Sequence, residues 1–180
     1  MPADMETAVD VALWFADKAL DRNEYLQPQK LHRLLFLAQG YYSVAYRGRK
    51  LMPAVFVADE MGPVEPNVFR VFARGRPDVE PNLFLPERVE VFLDSIWRRF
   101  GHHSAEALTR MAKDTMAYRR AFKRGPRAEI SLDSIRLSFA RADETPALGQ
   151  VVRPKVLRTA TGRPVTVKSW LPAAKPPRPR

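Results

Sequence analysis

Three histidines, one acidic pair and one basic run are the residues of this 180-residue chain whose types invite chemistry. His102 and His103 are neighbours, and neighbours do not share the i, i+4 face on which two helical histidines grip one metal ion. His32 stands between leucines and reads as a surface or boundary residue. Asp59-Glu60 lies in an extended segment, where successive side chains point to opposite faces, so the two carboxylates do not form an acid/base pair by themselves. Phosphate-cradling G-x-x-x-x-G-K-[ST], dinucleotide-binding G-x-G-x-x-G and the G-x-S-x-G elbow are all absent from the sequence. Cysteine is absent too, which removes disulfides, thiol catalysis and cysteine-based zinc or iron–sulfur sites. The sequence therefore predicts no catalytic residue, no metal and no cofactor. An enzymatic reading has only the Asp59-Glu60 and His102-His103 pairs to stand on.

The run Tyr118-Arg119-Arg120-Ala121-Phe122-Lys123-Arg124-Gly125-Pro126-Arg127 interleaves cations with aromatics. Arginine–phosphate contacts and base stacking make such a run a nucleic-acid surface. The plainer reading is an amphipathic helix with Tyr118, Ala121 and Phe122 turned inward. The chain carries a net charge of +10. Residues 142–180 hold eight basic residues against Asp143 and Glu144, a net +6, which leaves +4 for residues 1–141. A basic tail favours an acidic partner, whether nucleic acid or an acidic protein face.

These residues need elements to position them. A hydrophobic content of 46% is that of a packed globular domain. No apolar run approaches the roughly 20 residues of a membrane span, which predicts no membrane partner. The acidic start Met1-Pro2-Ala3-Asp4-Met5-Glu6 has no basic n-region and predicts no signal peptide; with the lack of cysteine it fits a cytoplasmic location. Val9, Ala12, Leu13, Ala16 and Leu20 repeat with helical period over 5–20, with Asp4 as an N-cap. Pro28 opens a second helix to about residue 48, whose face Leu31, Leu34, Leu35, Ala38, Tyr41, Tyr42 and Ala45 marks it as central. A short strand at 54–58 precedes the corner Gly62-Pro63, where glycine permits φ > 0 and proline fixes its own φ. Pro66 starts a helix to about 73. Further helices open at Pro86, Ser104, near Tyr118 and at Ser131, the last with Ile130 and Ile135 as a hydrophobic staple. Seven of the 16 prolines fall in the tail, which admits no normal helix. An edge hairpin over about 155–170, then a disordered polyproline-like end, fits it. The expected fold class is mainly α with a small β element (α+β): a compact multi-helix domain over 1–141 and a basic, Pro-rich extension over 142–180.

Several pieces together resemble one family. Lys30-Leu31-His32-Arg33-Leu34-Leu35-Phe36-Leu37-Ala38-Gln39-Gly40-Tyr41-Tyr42 is similar to the K-L-x-K-L-L-Y-x-A-Q-G-x-Y signature of the Panacea (SocA-like) antitoxin domain. Gly62-Pro63-Val64-Glu65-Pro66-Asn67-Val68-Phe69 resembles that family's G-P-V-x-P-x-V-Y corner, and Ser104-Ala105 followed by Leu108 resembles its later Y-S-A-x-x-L-S helix start. The resemblance spans about residues 5–139 in order. It departs at the family's T-H-x-x-x-P-W segment, which falls here on Ala112-Lys113 and Ala117-Tyr118.

The resemblance implies an antitoxin of a toxin–antitoxin system that binds its cognate toxin directly. It further implies a proteolytic adaptor that delivers a replication-inhibiting toxin to the ClpX unfoldase of the ClpXP protease. An adaptor acts by raising effective concentration, with one surface for cargo and one for the unfoldase. The toxin-facing surface expected on this basis is the corner, Glu60, Gly62, Pro63, Val64 and Val68, with Tyr41 and Tyr42 nearby. The second contact expected is the tail, especially Lys155, Arg158, Lys168 and Trp170. The alternative is a nucleic-acid-binding regulator using the tail and the run at 119–127.

Overall fold

The computed structural model describes residues 2–79, 85–141 and 145–152, together with the backbone of 156–158 and 164–166. Among these residues the chain is mainly helical with a small antiparallel sheet, as the sequence predicts. The first helix, α1 (Ala8–Leu20), is capped by Thr7, whose hydroxyl accepts from Asp10 N at 3.0 Å. Asp4 is not the cap. Its buried carboxylate instead ties the N-terminal segment down, accepting from Arg49 at 2.6 Å, Arg88 at 2.8 Å and the Tyr42 hydroxyl.

The second helix, α2 (Pro28–Ala45), is buried continuously from Leu31 to Ser43 and is the axis of the fold. It packs against α1, α4 (Glu87–Phe100), α5 (Ala105–Asp114), α7 (Leu132–Arg141) and the short α8 (Leu148–Val151). A helix enclosed this way needs its polar residues satisfied from other elements. Gln39 Oε1 accepts from Leu51 N and Met52 N at 3.1 and 3.2 Å, and its Nε2 donates to Met52 O at 3.2 Å. Gly40 is where α7 comes closest: a Cβ there would lie 2.5 Å from the Phe139 ring.

The sheet has order β2-β1-β3, with β1 Phe56–Asp59, β2 Gly62–Val64 and β3 Ala128–Ile130. Strand β1 pairs with β2 as Val57↔Val64, Ala58↔Pro63 and Asp59↔Gly62, so Glu60-Met61 forms a two-residue loop. The reversal thus lies two residues before the expected Gly62-Pro63. Proline is tolerated in β2 because β2 is an edge strand and no ladder bond needs the missing N–H. Helix α3 (Pro66–Val71) follows, and α6 (Met116–Arg124) precedes β3. Strand β3, unforeseen in the sequence, pairs Ile130 with Phe56.

Two expectations about packing are corrected. In α6, Tyr118 and Ala121 are buried but Phe122 is 40% exposed, with its ring stacked on Tyr118 at 5.6 Å. The packed body also runs past residue 141. Val151 is buried, α8 touches α2 and α4, and the Tyr41 hydroxyl donates to Pro146 O at 2.7 Å. The tail hairpin does form in the backbone, β4 (Val156–Arg158) pairing antiparallel with β5 (Pro164–Thr166).

Candidate functional site: a side-chain-clamped hairpin corner

The β1–β2 corner is built from the core outward by one residue that sequence reading passed over, Arg33. It sits on α2 among leucines and is only 1% exposed. Its guanidinium donates from Nη1 to Pro63 O at 2.8 Å, from Nη2 to Met61 O, and from Nε to Thr109 Oγ1 at 3.1 Å. Burial lowers its pKa to about 10, while neighbouring Tyr118 and Asp59 pull it back up, so it stays charged at neutral pH. Gly62 is where the backbone meets this group: φ is +115°, and a Cβ would lie 2.8 Å from Arg33 Cζ. Glycine is required there by both conformation and space.

Other side chains complete the clamp. Lys113 Nζ donates to Glu60 O at 3.0 Å, and the Tyr118 hydroxyl donates to Asp59 O at 2.5 Å. Asp59 itself accepts from Met61 N at 3.1 Å and faces Arg127 Nε at 3.5 Å. Carbonyls from Asp59, Glu60, Met61 and Pro63 are therefore all held by side chains from α2, α5 or α6. A turn held from three helices presents its outer residues on a rigid frame.

Beyond the corner, Glu65 is fully buried and caps α3: its Oε2 accepts from Val68 N at 2.7 Å and its Oε1 from Asn67 Nδ2 at 3.3 Å. His32 is not a surface residue. It is buried, and its Nδ1 accepts from Glu65 N at 3.3 Å. That bond requires an unprotonated Nδ1, and burial followed by the Arg33 charge pushes the His32 pKa down to about 4.

Beside this frame lies a groove of about 330 Å³, walled by Val57, Met61, Val64, Pro66, Phe69 and Arg127, with His32 and Arg33 beneath. Met61 and Phe69 are large apolar side chains left 55% and 58% exposed at its rim. Arg127, 80% exposed, supplies a cation at the edge.

The expected site residues divide accordingly. Glu60 is exposed and Val64 is half-buried in the groove wall, so both are presented at the corner. Gly62, Pro63 and Val68 are buried: they shape the corner and cannot themselves touch a partner. Tyr41 and Tyr42 are corrected outright. Both are fully buried, Tyr41 between Phe100 and Phe139 and Tyr42 against Phe92, with hydroxyls on Pro146 O and Asp4. The surface residues that the sequence reading missed are Met61 and Phe69, while Arg127, named there only within the basic run, joins the corner instead. The signal of Met61 and Phe69 was available in the sequence as two large apolar residues on either side of Gly62-Pro63, a segment otherwise marked by turn and helix-start residues. Lys155, Lys168, Trp170 and the side chain of Arg158 lie outside the described residues.

Among the described residues no group of three histidine, aspartate or glutamate side chains could hold a metal ion, and no helix is long and apolar enough to cross a membrane. No family model matches the chain, and no curated protein or solved structure matches it at a significant level.

Proposed function

We propose that the chain is a cytoplasmic antitoxin that binds its cognate toxin through the hairpin corner and acts as a proteolytic adaptor, delivering a replication-inhibiting toxin to ClpXP. The observation that carries this reading is the pairing of a rigid corner with an apolar groove that the described residues leave open. Met61 and Phe69 stand exposed at its rim, Met61 on a turn held by Arg33, Lys113 and Tyr118 and Phe69 on the helix capped by Glu65. Rigid apolar anchors around a pocket are what protein interfaces concentrate their affinity on. The same stretch carries the resemblance to the antitoxin family's corner. The β4–β5 hairpin supports a second contact, since a two-stranded ribbon offers unpaired edges to a partner strand.

Co-expression with the small protein encoded beside it tests the reading. The account expects relief of the neighbour's growth arrest, faster turnover of the neighbour when ClpXP is active, and loss of both effects in Met61→Asp/Phe69→Asp. Unchanged growth arrest with the intact chain would refute it.

One observation favours the nucleic-acid alternative: Phe122 is exposed among Arg119, Arg120, Lys123 and Arg124, where the sequence predicted it inward. An exposed ring among cations suits base stacking. That reading expects single-strand binding that weakens steeply with salt and is lost in Phe122→Ala. Binding equal in both proteins would remove it.

A further inference from the structure

We propose that a second cavity, on the side of α4 covered by α8, binds a phosphate dianion, either free or as the terminal group of a monoester. Helix α4 ends in Arg98-Arg99, and His102-His103 follow one residue beyond it. Cations at a helix C-terminus commonly serve only the helix dipole. Arg98 fits that role in part, since it donates back to Asp94 O at 3.3 Å, but its exposed side chain also lines a cavity. The dipole does not account for what α8 does next. By packing on α4, α8 borders a partly open cavity of about 290 Å³ lined by Ser95, Arg98, Arg99, His102, Gln150 and Val151.

Two polar atoms at this cluster, the Arg99 Nε donor and His103 Nδ1 just outside the cavity lining, are buried with no hydrogen-bond partner among the described residues. Unpaired buried polar atoms are uncommon in folded proteins and costly, so an arginine held this way points to an acceptor still to arrive. Among the described residues no carboxylate lines the cavity. The nearest acid on α4, Asp94, is engaged at 3.0 Å with Lys18.

The positive charge here is concentrated from three elements. Lys30, on α2, reaches Gly101 O at 2.5 Å beside the cluster. His103 is pushed below its usual pKa by burial and then by His102, Arg99 and Lys30, so a further proton is disfavoured there. Two guanidinium groups, an imidazole and the Gln150 amide around one cavity match a ligand with several acceptor oxygens and two negative charges. The volume leaves room for a phosphoryl group, and the open side for a substituent. The site is separate from the corner and does not depend on the function proposed for it.

The test is titration of the full chain with inorganic phosphate and with AMP at constant ionic strength in chloride, followed by calorimetry and by melting temperature. The proposal expects saturable binding. It expects affinity to fall about tenfold or more in Arg98→Gln/Arg99→Gln, the loss of charge-assisted hydrogen bonds, and to be unchanged in Arg110→Gln/Arg120→Gln, which removes the same charge elsewhere. Should the double variant not fold, Arg98→Gln alone, on the exposed side, carries the comparison. AMP binding more tightly than phosphate identifies a monoester; equal affinities identify the free ion. Melting temperatures equal in phosphate and chloride, or an equal loss of binding in the Arg110/Arg120 control, would overturn the proposal.

Discussion

Replacing Arg33 with methionine is the sharpest perturbation of the corner. Methionine is similar in length and apolar, so the packing of α2 is largely kept while the guanidinium is removed. Met61 O and Pro63 O then lose their donors, and Thr109 Oγ1 loses one as well. An acceptor left unsatisfied in a buried setting costs about 1–3 kcal/mol. The two carbonyls together give about 2–6 kcal/mol, a fall in melting temperature on the order of 10 °C for a chain of this length. Arg33→Lys keeps the charge but not the fork, and loses roughly half as much. Lys113 and Tyr118 still hold Glu60 O and Asp59 O, so the damage is local. Urea unfolding measures the loss, and amide exchange places it: protection should fall at 61–64 before it falls in α2. Stability within about 0.5 kcal/mol of the parent, the range of an ordinary surface change, would refute the claim that Arg33 holds the corner.

Three further outcomes are expected. Gly62→Ala places a methyl against the Arg33 guanidinium at a φ of +115° and should destabilise by about 1–3 kcal/mol in urea unfolding. Gly40→Ala drives a Cβ into the Phe139 ring 2.5 Å away and must separate α2 from α7, costing about 1–3 kcal/mol and exposing α7 amides to exchange. His32 makes stability depend on pH. Its folded pKa of about 4 lies below the unfolded value near 6.5, so the unfolded chain binds the extra proton first. The His32 contribution is therefore complete above about pH 6.5, declines as pH falls towards 4, and levels off below that. It amounts to on the order of 3 kcal/mol across the window, and His32→Gln should flatten that part of the unfolding profile.

How much of this could be read in the sequence depended on whether a residue's role is set locally. The path of α2 was legible because Leu31, Leu34, Leu35, Ala38, Tyr41 and Tyr42 repeat with the helical period, and a helix apolar nearly all round must be enclosed. The same logic misplaced Tyr41 and Tyr42: as core residues they were found, as contact residues they were wrong. His32 and Arg33 share that helix and read as its polar seam. Their burial is imposed by the hairpin and by α3, which bring Met61 O, Pro63 O and Glu65 N to them across about thirty residues of chain. Strand β3 was missed because Ala128-Glu129-Ile130 is only three residues long, two of them poor strand formers, and pairing with β1 makes it a strand. The domain boundary at 141 followed the change in proline content. Yet Thr145 and Val151 pack into the body because the ends of α2 and α4 need covering.

The measurement closest to the central claim is a pull-down from the native host with the intact chain and with Met61→Asp/Phe69→Asp, each with active and with inactivated Clp protease. The account predicts that the neighbour-encoded protein is held by the intact chain, accumulates on it when the protease is inactive, and is absent from the variant. Equal retention by the variant would contradict the corner as the toxin-binding surface, and equal recovery with either protease would contradict the adaptor mechanism in favour of steric neutralisation.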